Sequence, residues 1–338
     1  MSLPLSVLDL VPVPSGGSAA ASVHRTVELA QLAERLGFVR LWFAEHHGMP
    51  SVASAAPEVL IAHVAAHTHR LHIGSGGVML PNHAPLRVAE AFRTLAALHP
   101  GRIDLGIGRA PGSDVHASRA LRSFDGEHFP ALLSELRIWS GLEALPGDHP
   151  MRSLRAMPDD APLPPIWLLG SSGASAQMAG AAGMGYSFAS HFSPTPAGPA
   201  FDAYFSAFQP SPQFAAPHAI LGVSAVCASS EAEAERLASG MDLAWVRIRS
   251  GICAPLPSPE EAAAHDYSEA ERRLVRDFRR LVIVGAPASV REQIQAKADA
   301  CGASEVMITC NIHSHAARLR SYELVAQAFA DSTPSRRE

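Results

Sequence analysis

Short runs of apolar, β-branched and aromatic residues alternate along almost the whole chain with stretches whose apolar positions recur at helical spacing. Leu5 to Leu10 is the first run, and Val23 to Leu36 follows it as a predicted helix stopped by Gly37. Val39 to Ala44 and Pro57 to Thr68 make the second strand and helix. Leu71 to Leu80 (LHIGSGGVML) and Arg102 to Ile107 (RIDLGI) predict the third and fourth strands, with a helix from Pro85 to Leu98 between them. Ile166 to Leu169 is the fifth strand, followed by the Ala-rich helix Ala174 to Ala182. Tyr186 to Ser190, Ala219 to Ala228 and Glu305 to Cys310 complete the eight strands, and Arg318 to Phe329 is the last helix.

Strands that alternate with helices predict a parallel sheet, because a parallel connection needs a crossover. Eight such units close into a single (β/α)8 TIM barrel of the α/β class, with an open doubly wound sheet as the alternative. Two stretches exceed the repeat, residues 110–164 after the fourth strand and residues 229–304 after the seventh, and both are expected to be insertions in one domain spanning 1–338. The second contains Ser268 to Arg280 (SEAERRLVRDFRR), which reads either as a solvated helix face or as a lid over the barrel mouth.

The chain has 338 residues, 47% of them hydrophobic and 17% charged, and a formal charge of -5. That balance excludes disorder and gives no basic footprint for nucleic acid. Lys297 is the sole lysine, so lysine Schiff-base and P-loop chemistry would hang on one residue. The four cysteines have no C-x-x-C spacing and no secretory leader precedes them, which points to reduced thiols and a cytoplasmic protein. No unbroken apolar span long enough for a membrane helix is present. The helix from Pro57 to Thr68 (PEVLIAHVAAHT) is apolar on nearly every face, which predicts a second subunit against it and hence a homodimer.

Residues just after barrel strands line the active-site face. Here they are Asp9; Glu45, His46 and His47; Ser75, Gly76 and Gly77; Gly108 and Arg109; Gly170, Ser171, Ser172, Gly173, Ala174 and Ser175; Ser190 and His191. GSSGAS puts free amides at a helix start, where a phosphate is favoured, and Arg109 one strand earlier supplies a counter-charge; an ordinary Ser-capped turn is the alternative. GIGRAPG has proline at the last glycine position of G-x-G-x-x-G, which argues against a dinucleotide fingerprint. His63 and His67 have helical spacing but no acid between them, so no metal is expected. A serine hydrolase lacks its G-x-S-x-G elbow.

The segments WFAEHHG, IGSGGVMLPNHAPLRVAEAFRTLAALHPGRIDLGIGRAPGS, WLLGSSGASAQMAGAAGMGYSFASHF and VGAPASVREQI together resemble the bacterial luciferase-like flavin monooxygenases, in order and spacing over most of the chain. The resemblance implies FMN, reduced by a separate NAD(P)H:flavin reductase and reacting with O2 through a C4a-hydroperoxide to oxygenate a small organic substrate, as in bacterial secondary metabolism. It implies that His46 sits beside the reactive edge of the flavin, with Glu45 as its neighbour. Ser75 and Gly76 correspond to a pair joined by a non-proline cis peptide under the ring, with Gly77 next to it. Arg109 with the Ser171, Ser172 and Ser175 turn corresponds to the phosphate clamp. Gly170 and His191, at strand ends, are further cofactor-binding candidates, with a structural hydrogen bond as the alternative for His191 and His47. Ser171 stands where luciferase has an acid, and Gly76, Gly77 and Gly108 imply a wider pocket than luciferase has, so light emission is not implied. Phe43, Phe188, Phe192 and Met79 are candidate apolar walls. A deazaflavin-dependent hydride-transfer enzyme, a non-catalytic flavin-binding relative and a self-associating structural protein are the alternatives.

Overall fold

The computed structural model describes residues 3–110, 112–123, 126–145 and 147–330. Among these the strands are β1 (Leu5–Asp9), β2 (Arg40–Phe43), β3 (His72–Ser75), β4 (Val78–Met79), β5 (Ile103–Gly108), β6 (Ile166–Gly170), β7 (Gly185–Ala189), β8 (Ala219–Cys227), β9 (Val282–Gly285) and β10 (Glu305–Thr309). Their order is β10-β1-β2-β3-β5-β6-β7-β8, all parallel, and β10 pairs back onto β8, from Glu305 opposite Ile220 to Thr309 opposite Ser224. That closure, with helices in the crossovers, makes a (β/α)8 barrel and excludes the open sheet. The strands read as near-continuous apolar runs because both faces are covered; β8, for example, is buried along all nine residues.

Two strand expectations are corrected. Leu71 to Leu80 is not one strand: it breaks between β3 and β4. There the Ser75 hydroxyl replaces ladder bonds, donating to the Gly106 carbonyl at 2.8 Å and accepting from the Gly106 N–H at 3.0 Å. The cis peptide in this turn joins Gly76 to Gly77, not Ser75 to Gly76. A Cβ on Gly77 would come within 2.8 Å of the Gly106 carbonyl, so no side chain fits there, while one on Gly76 would press on the end of Leu8 and on Trp42. The second correction is β9, a four-residue strand inside 229–304 that pairs with Ser224–Cys227 and was hidden by its brevity behind a charged helix.

Helix Pro57–Ala65 stops short of Thr68. It buries Leu60, Ile61 and Val64, but Val59 is 62% exposed and His63 and His67 share its outer side, so it is not apolar all round. Its bare outer row, not an all-apolar surface, is what a second subunit would meet. Among the described residues no helix is long and apolar enough to cross a membrane.

The barrel has a floor of paired charges. Arg40 opens β2, Glu305 opens β10, Asp104 lies near the start of β5 and His218 just precedes β8, so all four gather at the amino-terminal end. Arg40 reaches Asp104 at 2.7 Å and forks onto Glu305 at 2.8 and 3.1 Å. His218 approaches Glu305 at 3.0 Å, Ser6 donates to it, and Trp42 Nε1 donates to Asp104 at 3.0 Å. The guanidinium also lies 4.7 Å over the Trp167 ring.

Candidate functional site

At the opposite end the strands open into a cavity of about 440 Å³, within the range of small-ligand sites. Gly76 and Gly108 form part of its surface where the β3–β4 turn meets the end of β5. Its outer cover is apolar: Met241, Ala244, Trp245 and Ile248 come from helix Glu231–Arg249, and Phe278 from helix Glu269–Arg279. The Trp245 and Phe278 rings stack at 5.0 Å. The charged helix is thus mostly solvated and still contributes one aromatic to the cavity.

On one side of the mouth Arg109, Ser171, Ser172 and Ser175 line the cavity together. Helix Gly173–Ala181 begins here, and its N-cap Ser172 makes no side-chain capping bond. The Ser172 carbonyl instead accepts from Ser175 Oγ at 3.0 Å and Tyr186 Oη at 3.2 Å. The first helical amides therefore point out with no side chain capping them. Arg109, at the end of the neighbouring strand β5, lines the same cavity and makes neither hydrogen bond nor ion pair among the described residues. An uncapped helix start and a guanidinium with no partner among the described residues present donors of the kind a dianionic group accepts.

His46 lines the cavity next to Gly112, in the loop that follows Arg109. Its Nδ1 is 3.2 Å from the Gly112 carbonyl, which can only accept, so Nδ1 carries the proton and Nε2 is left as a base. Burial pushes the imidazole below its usual value against the pull of that carbonyl, so the ring is neutral at pH 7. Gly112 holds this contact with φ +64°, and a Cβ there would come within 2.6 Å of the Glu45 carbonyl.

Glu45, expected beside the flavin, faces away from the cavity. It is fully buried and takes bonds from His47 Nε2 at 2.8 Å, His83 Nε2 at 2.9 Å, Asn82 Nδ2 at 3.1 Å and the Met79 N–H at 2.8 Å. Burial alone would raise its pKa, but His83, His47 and the Met79 amide outweigh burial and hold it low. His83 is raised in turn by Glu45, overriding its own desolvation. Glu45 therefore positions the chain around His46 and the β4 turn, with His47 as its partner.

Of the other expected residues, Gly76, Gly170 and His191 line the cavity, whereas Ser75 and Gly77 lie behind it. Asp9 is occupied by Arg318 at 2.6 Å and the Val11 N–H at 2.6 Å. Phe192 and Met79 are walls, while Phe43 and Phe188 are core, because their strand positions point outward to the helices. Pro111 of GIGRAPG lies outside the described residues. Sequence reasoning missed His83, and it missed Ser187, Ser224, Thr309 and Asn311 on the far wall. The signal for the last two was alternation, since Met307, Thr309 and Asn311 fall on one face of β10 and its extension.

A family model described as luciferase-like monooxygenase matches residues 3–304. A luciferase-like monooxygenase of Escherichia coli (strain K12) is 43% identical over 326 residues, 96% of each chain. The crystal structure of apo-MsnO8 superposes with a TM-score of 0.85 at 37% identity, over 97% of this chain and 98% of that one. The oxygenating constituent of 3,6-diketocamphane monooxygenase from Pseudomonas putida, a type II Baeyer-Villiger monooxygenase in complex with FMN, shares the fold, with a TM-score of 0.68 at 18% identity over 100% of both chains.

Proposed function

The chain belongs to the luciferase-like monooxygenase family, and from that premise we propose that it binds reduced FMN at the Arg109 corner and uses O2 to oxygenate a small organic substrate. The observation that carries this reading is Arg109, without a partner among the described residues, on the strand end next to an uncapped helix start, at the edge of a glycine-surfaced cavity that also holds a neutral histidine. When bound, FMN would supply the two electrons that reduce one atom of O2 to water while the other enters the substrate. Arg109 and the amides after Ser172 would hold the phosphate, and Gly76 and Gly108 leave room for a planar ring. His46 Nε2 would hold or release a proton at the oxygen-bearing edge. Trp245 and Phe278 would keep water out, which is what prevents wasteful release of peroxide. With no dinucleotide fingerprint in GIGRAPG, the reducing equivalents would arrive with the flavin from a separate NAD(P)H:flavin reductase.

The test is anaerobic loading with reduced FMN followed by mixing with O2. Wild type is expected to release H2O2 more slowly than free reduced FMN, and His46→Ala to release it faster while keeping FMN affinity within about tenfold, the loss of no more than one neutral hydrogen bond. Peroxide traces identical with and without protein would overturn the oxygenase reading.

A further inference from the structure

Across the barrel from Gly76 the cavity wall is polar and unsatisfied. In the closed ring β8 stands four strands from β3 in either direction, flanked by β7 and β10. The inward positions there are Ser187, Ser224, Thr309, Asn311 and His191, where barrel interiors usually carry Val, Ile or Leu. Thr309 is 2% exposed and its hydroxyl has no hydrogen-bond partner. Asn311 Oδ1 and His191 Nδ1 are also buried without one. The Gly222 backbone comes close to His191 Nδ1 and pulls its pKa up against burial, a contact short of a full hydrogen bond, so Thr309 and Asn311 are the more openly unpaired of the three. Unpaired buried polar atoms occur elsewhere in this chain too, but three of them gather on this one cavity wall, where a bound molecule could reach all of them.

The charge pattern restricts that ligand. Among the described residues lining the cavity Arg109 is the only Arg, Lys, Asp or Glu, and it stands on the other side, at the end of β5. A carboxylate or ammonium against the far wall would lose its hydration with no counter-charge, which costs far more than losing a neutral dipole's. Burial outweighs the Gly222 backbone contact and, with His46 nearby, pushes His191 down to about 4, so it offers no cation there either. Above the wall the lining turns apolar through Met241, Trp245, Ile248 and Phe278.

We propose that Thr309, Asn311 and His191, with Ser187 and Ser224, form a recess for the polar head of the organic substrate, and that this substrate is uncharged, with an amide- or hydroxyl-like head and an apolar body lying under Trp245 and Phe278. This rests on the reading that gives the Arg109 side of the cavity to FMN. An alternative tenant for the same donors and acceptors is the imide edge of a flavin ring, and the experiment separates the two.

Three probes of similar length, N-hexylacetamide, octanoate and octylammonium, are titrated against the full chain with and without FMN. Trp245 fluorescence is the signal, with Trp245→Phe as its control. N-hexylacetamide is expected to bind at least about tenfold more tightly than either ion, and Thr309→Val and Asn311→Leu each to weaken it roughly three- to tenfold, as loss of one neutral hydrogen bond does. Both variants should melt as wild type does and keep FMN affinity within about twofold, since no phosphate contact is touched. Equal binding of the three probes, no saturable binding of the amide, or variants that lose FMN in step with the amide would overturn the recess. If wild type fails to bind FMN while the amide preference and its loss in both variants persist, the FMN reading falls and the recess stands.

Discussion

The two ends of this barrel are both polar, and they differ in how their charges are matched. The floor pairs its charged groups with one another, even though Trp167 Nε1 beside them stays unpaired, whereas the mouth does not. At the floor Arg40, Asp104, Glu305, His218, Ser6 and Trp42 bond one another. At the mouth Arg109 has no partner among the described residues, and Thr309, Asn311 and His191 leave buried atoms unpaired. The same residue types therefore serve two purposes. A network of paired charges can hold strands in register, whereas groups left open at a cavity keep bonding capacity that the proposed ligands would use. Glu45 shows that position alone does not decide this, since it sits at a strand end and yet belongs with the closed kind.

The largest effect is expected at the floor. Arg40→Ala leaves Glu305 and Asp104 buried without their cation, which should cost about 3–5 kcal/mol by urea unfolding while cavity binding in the surviving folded fraction is retained. Loss below about 1 kcal/mol would mean that the floor is open to water and the contrast between the ends is weaker than drawn.

The floor should also govern acid stability. Burial alone would raise Glu305, but the His218 bond, the Arg40 charge and bonds, and Ser6 bring it down to about 2 from an ordinary 4.5. Below 4.5 the unfolded chain takes up a proton at Glu305 that the folded chain refuses until about pH 2. Its contribution is thus complete above about pH 5 and is lost as pH falls toward 2. Glu305→Gln should unfold with a shallower dependence on pH in that interval, and a slope equal to wild type would assign acid sensitivity to other carboxylates.

The pattern of apolar runs was enough for the barrel because each strand is buried on both faces and each crossover helix has one apolar side. What it could not reveal was pairing. Ser75 and Gly77 stand in the same turn as Gly76, but which of them faces the cavity depends on how the turn folds against Gly106. Glu45 and His46 are adjacent and point to opposite sides of the chain, so the motif EHH marks the place without separating the hub from the group that reaches the cavity. Thr309 and Asn311 were concealed within a run that otherwise reads as core. The Arg109 and Ser172 corner was legible because a helix start and an arginine at neighbouring strand ends are fixed by barrel topology itself.

A smaller effect is expected at Glu45. Glu45→Ala removes the acceptor shared by His47, His83 and the Met79 amide and should cost about 1–3 kcal/mol. It should also speed hydrogen exchange at the Met79 N–H, which a purely catalytic Glu45 would not do. Unchanged stability and unchanged exchange would return Glu45 to the reacting groups.

The most direct test is to titrate reduced FMN anaerobically into wild type and Arg109→Ala at low and at high salt. If the unpaired groups at the mouth are the flavin site, the substitution weakens binding by about 1.5–3 kcal/mol, a factor of roughly 10 to 150, and wild type loses more affinity to salt than the variant does. Equal affinity and equal salt dependence in the two proteins would contradict the account, because the one unpaired cation lining the mouth among the described residues would then have no part in holding the cofactor.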